Sequence, residues 1–513
     1  MQFSLNCRNF RTNRLNAVIL TKLNEVMTTN SSNEQIPDSN AAVDPLSARL
    51  IEVWHRGSAW IVGPILVGLL AVGLALGSDQ MSRINNHLVH LHPYAPLLFM
   101  PIGFAVLAYL GNRFVAGSQG SGIPQTIAAT DADGNTDVGY LLSWRIAIGK
   151  ALLTLGGLGI GASIGREGPT IQIGASIMHS FYGRGPFKGV ESRRILILAG
   201  GAAGIAAAFN TPLAGIMFAI EELSKKHVFN ANSSTLVTII VSGLISLSTL
   251  GSYTYFGTTE SALAWNGSMA ACLLCGVVGG AAGGLFSRLL IVLTFHMPTR
   301  FKTFIKQNRL LFAAGCGLLV ALLGIVCHGL IFGTGYQPTR LSLENTATLP
   351  WYFGIAKLAA TLISSISGIA GGIFAPSLAI GAGLGDNIAA LFPLMADHSA
   401  IVLLVMTAYL SGVTRAPVTS FIICMEMTNN HQMLIPLMAA SVLASAVSKF
   451  ISPTPLYHRL ARNFASAPIV DQCVNGIKAS ATNQLQPLEE SSKKYSSKLK
   501  YQIEVEEAKR GSN

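Results

Sequence analysis

Between about Ala59 and Ile451 the chain is a succession of apolar stretches, many of them too short to span a bilayer or interrupted by glycine and proline. A single helix needs ~20 apolar residues to cross. Backbone that is not helical survives at membrane depth only where protein covers it or where it lines a cavity. The pattern points to a bundle of partly broken helices around an internal site. Charge is too sparse for a soluble fold: 12% of the 513 residues are charged and 50% are hydrophobic, whereas soluble domains carry about 25% charged residues. Gly occurs 52 times, and small residues both let helices approach closely and permit breaks beside a cavity. The expected fold class is an all-α polytopic membrane protein.

Candidate membrane helices lie near 59–77, 94–111, 141–164, 170–182, 195–222, 234–251, 269–295, 310–332, 351–366, 374–392, 400–424 and 432–451. Residues 1–57 are polar and read as a cytoplasmic tail, 58–463 as the transmembrane domain, and 464–513 as a short polar tail. The formal net charge of +11 lies mostly between residues 58 and 463, in short loops and at helix ends. That fits a positive-inside bias, with both termini cytoplasmic, better than nucleic-acid binding. Lys225-Lys226-His227 reads as a cytoplasmic helix end. Cys272-x-x-Cys275 has no second pair or histidine at ligand spacing, so helix packing explains it and no metal or other cofactor is expected. Gly276, Gly280 and Gly284 share one helix face and read as a close-packing stripe.

Two of the breaks carry chemistry. Gly165-Arg166-Glu167-Gly168-Pro169 sets an acid between glycines, with proline where a helix would begin. A carboxylate at membrane depth is costly and marks an ion or proton pathway. The unpaired N–H groups of a helix start attract negative charge, so a small anion can occupy the same place. Glu167 can therefore hold an anion site shut when ionised and open it when protonated. Gly371-Gly372-Ile373-Phe374-Ala375-Pro376 repeats the pattern in the second half. Broken segments at corresponding places are the best sequence pointer to a transporter site, and this pairing predicts inverted repeats near 59–255 and 265–460.

Other features fit the same chemistry. Gly120-Ser121-Gly122-Ile123-Pro124 lies in a polar break at 111–140. As a plain turn it needs no function; as a site, Ser121 donates to an anion without charge while Gly120 and Gly122 expose nearby N–H groups. The N–H groups of Ile373 and Phe374 can face an anion across from those of Gly165 to Gly168, with the Phe374 ring narrowing the path. Glu221-Glu222 ends an apolar run and reads either as an interfacial charge pair or as a proton acceptor feeding Glu167. Lys150 stands in an apolar helix, where it either adds positive potential to an anion path or reaches for an interface. His296 and His328 are isolated and no His-Glu-x-x-His occurs, so no enzyme is expected.

In order and spacing, Ser121, Gly165 to Pro169, Glu222, Gly372 to Pro376 and Tyr457 resemble the CLC family of chloride channels and chloride/proton antiporters. The likeness extends to Ala207–Gly215 and Met425–Thr428 and covers roughly residues 60–465. It implies many tilted, broken helices in two inverted repeats, and a homodimer in the lipid bilayer with one pathway per subunit. It implies chloride and protons as the ions moved. By match of motif, Ser121 and Tyr457 would supply hydroxyls to a central anion beside the Ile373 and Phe374 amides. Glu167 would be the external gate and Glu222 the internal proton acceptor, with Glu221 supporting the fold or pairing with a base. An acid at the internal position accompanies exchangers, so antiport is expected, and a passive voltage- or pH-gated channel is the alternative. Ser121 and Tyr457 argue against a fluoride exchanger. Two departures stand out: Gln125 replaces an acid common in relatives, and Ile369-Ala370 replace a frequent Ala-Pro. The C-terminal tail is too short for the family's regulatory domains, since one ordinary domain is ~100 residues. That implies the prokaryotic type in an inner (cytoplasmic) membrane.

Overall fold

The computed structural model describes residues 45–133, 136–224, 233–251, 256–263 and 269–465. The N-terminal tail up to residue 44, Lys225-Lys226-His227 and the C-terminal tail from residue 466 lie outside them. The chain divides into two compact units, 1–51 and 52–513. The described part of the first is only the start of a helix, and every candidate site residue belongs to the second. The described elements are eighteen α-helices and one π-helical turn. In the first half they are α1 (Pro45–Leu91), α2 (Pro96–Phe114), α3 (Ile123–Thr130), α4 (Trp144–Gly159), α5 (Glu167–His179), α6 (Val190–Phe209), α7 (Pro212–Phe218) running into the π-helical turn Ala219–Leu223, and α8 (Ser233–Leu250). The second half holds α9 (Met269–Phe295), α10 (Thr299–Gln307), α11 (Arg309–Val326), α12 (Tyr336–Leu343), α13 (Phe353–Ile366), α14 (Phe374–Leu391), α15 (His398–Thr414), α16 (Pro417–Thr428), α17 (Leu434–Ile451) and α18 (Leu456–Ala465). Seven described helices are long and apolar enough to cross a membrane, by length and composition.

Several spans differ from the hydropathy reading, each for a local reason. The run at 195–222 is two helices, because Asn210 turns left-handed (φ 59°) and Pro212 cannot continue the hydrogen-bond ladder. The run at 400–424 splits in the same way at left-handed Arg415 (φ 59°) before Pro417. The run at 170–182 starts earlier, with Glu167 as the first helical residue. α1 starts at Pro45 and continues to Leu91, since a helix need not end where hydropathy falls. The polar break at 111–140 contains the fully buried α3. α10, α12 and α18 are too short or too polar for a hydropathy window.

The two halves repeat in atomic detail. Asn210 (φ 59°, ψ 38°) is matched by Arg415 (φ 59°, ψ 37°), each followed by an extended residue and a proline. Thr126 Oγ1 bonds the Gly122 carbonyl at 3.0 Å, and Thr339 Oγ1 bonds the Gly335 carbonyl at 2.9 Å. The hydroxyl of Ser246 bonds α6 at Ala207, and that of Ser448 bonds α15 at Gly412. The glycine stripe does what spacing implies: a methyl at Gly276, Gly280 or Gly284 would meet α17 at Leu443, Ala444 or Ser448.

The halves are joined by a reciprocal cap. Glu221 accepts from the N–H groups of Val418 (3.1 Å) and Thr419 (2.7 Å) at the start of α16. Glu426, near the end of α16, accepts from Leu213 (3.4 Å) and Ala214 (2.9 Å) at the start of α7. Each carboxylate satisfies donors that a helix start leaves open, and its charge suits that end of the dipole. Glu221 thus supports the fold through this cap. Replacing either acid with alanine is expected to cost about 1 kcal/mol. Thermal unfolding in detergent checks this, with non-additive losses expected in the double variant because the caps tie one helix pair.

Candidate functional site

The site is built on backbone first. Gly165 N–H donates to the Gly372 carbonyl and Gly372 N–H donates to the Gly165 carbonyl, both at 2.7 Å. This antiparallel pair sets the starts of α5 and α14 against each other. A parallel bridge adds the loop before α3: Gly120 N–H bonds the Ile369 carbonyl at 2.9 Å and Gly371 N–H bonds the Gly120 carbonyl at 3.0 Å. Ile369-Ala370 therefore pair with a neighbouring loop and do not form the helix start. Glycine is required by close approach. A Cβ on Gly372 would lie 3.0 Å from Gly168 N, and one on Gly168 would run into Ser121 Oγ and lie 2.7 Å from its carbonyl oxygen.

Glu167 is the first residue of α5 and is fully buried. Its Oε2 accepts from Ala375 N–H at 3.3 Å. Ile373 is the N-cap of α14, so Ala375 is its second helical residue, an amide that a capping oxygen receives. The Ile373 and Phe374 amides, expected to face an anion, belong to the same helix start. Pro169 and Pro376 sit in the first turns of α5 and α14, where the missing N–H costs little.

Tyr457 is the second residue of α18 and is fully buried. Its ring stacks on Phe374, with centroids 6.1 Å apart and planes 6° apart. Phe209 and Phe218 close around Phe374 at 6.1 and 5.9 Å. The Tyr457 and Ser121 hydroxyls are neighbours, yet neither completes a hydrogen bond of good geometry among the described residues. Two neighbouring buried hydroxyls left so are unusual, because an unmade buried bond costs about 1–3 kcal/mol. They suit a small acceptor between them.

Ser121 is held from three sides. Gly120 and Gly122 both adopt left-handed backbone (φ 68° and 103°). Gln125 caps α3, its Oε1 accepting from Gly122 N–H at 3.1 Å and its Nε2 donating to Gly117 and Gln119 carbonyls. A neutral amide can do both, which is why the missing acid leaves the loop intact. Pro124 follows within the first turn of α3. Lys150, fully buried in α4, donates to the carbonyls of Ser118 (2.6 Å) and Gly120 (2.5 Å). It reaches for no interface. Lys357 in α13, which the sequence reading missed, clamps the Ile331 and Gly333 carbonyls before α12 in the same manner. Its available signal was a second lysine in an apolar helix, at the spacing from Gly372 that Lys150 keeps from Gly165. Arg166 ties the α5 start to α1 through the Ala75 carbonyl (2.8 Å), Ser78 Oγ (2.6 Å) and Asp79 (3.4 Å).

Glu222 lies in the π-helical turn and is fully buried. The wide turn directs Glu222 inward while Glu221 faces α16. His458 Nε2 is 3.1 Å from the Glu222 carbonyl oxygen and 3.9 Å from Oε1. Sequence reading missed His458, which no spacing singled out. Tyr457 lies within electrostatic reach of both Glu222 and Glu167.

A cavity of about 460 Å³ reaches this centre. Its walls include Ser121, Ile373 and Tyr457, and also Lys302, Lys306 and Arg309. Among the described residues no group of three His, Cys, Asp or Glu could hold a metal, and Cys272 and Cys275 are buried free thiols. Gly168→Ala should displace Ser121 and weaken chloride binding on the order of tenfold, the equivalent of about one lost hydrogen bond. Calorimetric chloride titration of the purified protein reads this directly.

Comparison with known proteins bears on the fold and the family. The family model described as voltage gated chloride channel matches residues 102–449. The H(+)/Cl(-) exchange transporter ClcA of Yersinia pestis bv. Antiqua (strain Angola) is 33% identical over 436 residues, covering 79% of this chain and 87% of that protein. ClcA of Citrobacter koseri is 30% identical over 426 residues, covering 80% and 88%. Among solved structures, a slow cyanobacterial Cl-/H+ antiporter superposes with TM-score 0.68 at 26% identity, covering 80% of this chain and 98% of that one. A CLC-type fluoride/proton antiporter superposes with TM-score 0.67 at 23% identity, covering 81% and 99%, a likeness of fold alone. The chain is a member of the CLC (voltage gated chloride channel) family.

Proposed function

We propose that this protein is a secondary active antiporter that exchanges chloride for protons across a membrane. The observation that carries the reading is Glu167: a buried acid whose oxygen occupies the N–H end of α14, in a family whose named relatives include chloride/proton exchangers. In this reading Ser121 and Tyr457 hold a central chloride with their open hydroxyls, and the Ile373 and Phe374 amides at the α14 start add positive potential. Glu167 and chloride compete for amide hydrogens. Protonation removes the carboxylate's charge and its claim on them, so a protonated Glu167 leaves and chloride passes. The proton then crosses to Glu222, with water as carrier, and exits inward. Lys150 contributes by fixing the Ser121 loop and by its field. No covalent chemistry is involved.

The same reading takes the protein to be a homodimer in the inner membrane of a prokaryote, with both termini cytoplasmic. Residues 1–57 and 464–513 would serve as tails flanking a transport domain at 58–463, in repeats near 59–255 and 265–460. The Arg184–Arg194 and Arg300–Arg309 connections each carry four Lys or Arg residues, which supports placing that side in the cytoplasm.

Two variants test the assignment in vesicles with chloride and proton fluxes recorded together. Glu167→Gln should reduce proton movement to the level of empty vesicles while chloride still flows. Glu222→Gln should stop protons selectively and leave the chloride route open. Retained coupling in the first variant removes the gate from Glu167. For the wild type, a reversal potential equal to chloride's own at every pH gradient would identify a passive channel.

A further inference from the structure

α10 is the most amphipathic element outside the transport centre. It joins two membrane-length helices, α9 and α11, and none of its residues is buried. Phe301 and Phe304 are 48% and 43% exposed on one face. Lys302, Ile305 and Lys306 lie on another and, with Arg309 at the start of α11, line the cavity that contains Ser121, Ile373 and Tyr457. Residues 296–309 contain Arg300, Lys302, Lys306 and Arg309 and no acid. No Asp or Glu is among the described residues lining the cavity. A basic helix with a phenylalanine face lies naturally in the plane of a bilayer interface, with the rings in the headgroup boundary. Lys302 Nζ donates to the Phe295 carbonyl at the end of α9, 2.6 Å away, which holds the connection in place. Lys306 and Arg309 take part in no ion pair among the described residues.

We infer that Lys306 and Arg309 form an anion-capture site at the wall of this cavity, which gathers chloride from water and feeds the hydroxyl pair of Ser121 and Tyr457. The inference rests on the reading of the protein as a chloride transporter but not on its coupling to protons. A low-dielectric vestibule lined by one sign of charge concentrates counter-ions and raises on-rates by about 10-fold or more. The charges are exposed, so salt screens them. The phenylalanine face keeps α10 at the membrane boundary while its basic side chains turn to the cavity. The site sets how much chloride is needed, and the central hydroxyls still set which anion is held.

The test is chloride flux by the full-length protein in vesicles of neutral phosphatidylcholine, so that anionic headgroups do not compete. Chloride is varied while an impermeant salt sets the ionic strength. For the wild type, the apparent KM for chloride should rise with ionic strength. At low ionic strength Lys306→Gln and Arg309→Gln should each raise KM by roughly threefold, within the range of electrostatic focusing. That difference should vanish near 1 M salt, where the Debye length is about 3 Å. Lys306→Arg should behave as the wild type, and the ratio of protons to chloride should stay constant throughout. Unchanged KM in folded variants overturns the proposal, as does an altered ratio, which would mean the centre itself was disturbed. If the variants fail to fold, the wild-type salt series decides: a KM indifferent to ionic strength overturns it. A wild type that moves no protons while the KM pattern holds would strike the antiport reading alone.

Discussion

Two hydrogen bonds between Gly165 and Gly372 hold the rest of the site together. They set the first turns of α5 and α14 head to head, closer than any side chain permits. Each helix start presents unpaired amides and a partial positive charge. One of the two carries an acid at its first position. The N–H end of the opposite helix suits the carboxylate, and Ala375 N–H donates to it. The proposed competition between acid and anion draws on this crossing: both ends are buried, the acid reaches the opposite helix start, and Ser121 and Tyr457 stand with it on the cavity.

The scaffold is symmetric and the chemistry is not. Glu167 and Phe374 hold equivalent positions as first residues of α5 and α14. Thr170 and Ser377 bond back to the residue before each helix in the same way. One position carries the acid whose oxygen accepts from Ala375 N–H, and the other carries the ring that stacks on Tyr457. Glu221 and Glu426 are likewise equivalent and cap each other's helices. The residue after Glu221 is an acid and the residue after Glu426 is Met427. A duplicated frame therefore places its special residues at positions already fixed by backbone bonds. Their positions follow from packing, and their side chains from what crosses the membrane.

Much of this was legible from local pattern. Glycine-led breaks ending in proline mark the two helix starts because backbone crossing and helix initiation both demand those residue types. The acid at Glu167 was legible because a carboxylate in an apolar run is rare. Hydropathy failed where short helices carry too little apolar length, as in α3, α12 and α18, and where one apolar run hides a left-handed turn, as at Asn210 and Arg415. That Glu167 reaches the Ala375 amide was not legible, since no spacing tells which amide of a first turn points at a side chain from elsewhere. His458 escaped because its role depends on contacts distant in sequence, and Lys357 because its signal shows only when the two halves are laid side by side. Lys150 was noticed but its bonds were not, since hydropathy cannot tell a buried clamp from a residue reaching for water.

The central claim is that chloride and ionised Glu167 exclude one another, and linkage makes it measurable without transport. If chloride binds only as the carboxylate is neutralised, adding chloride to weakly buffered, detergent-solubilised protein must draw protons from solution. The account predicts proton uptake that saturates with chloride and is absent in Glu167→Gln. Saturable chloride binding by the wild type with no change in bound protons would contradict it.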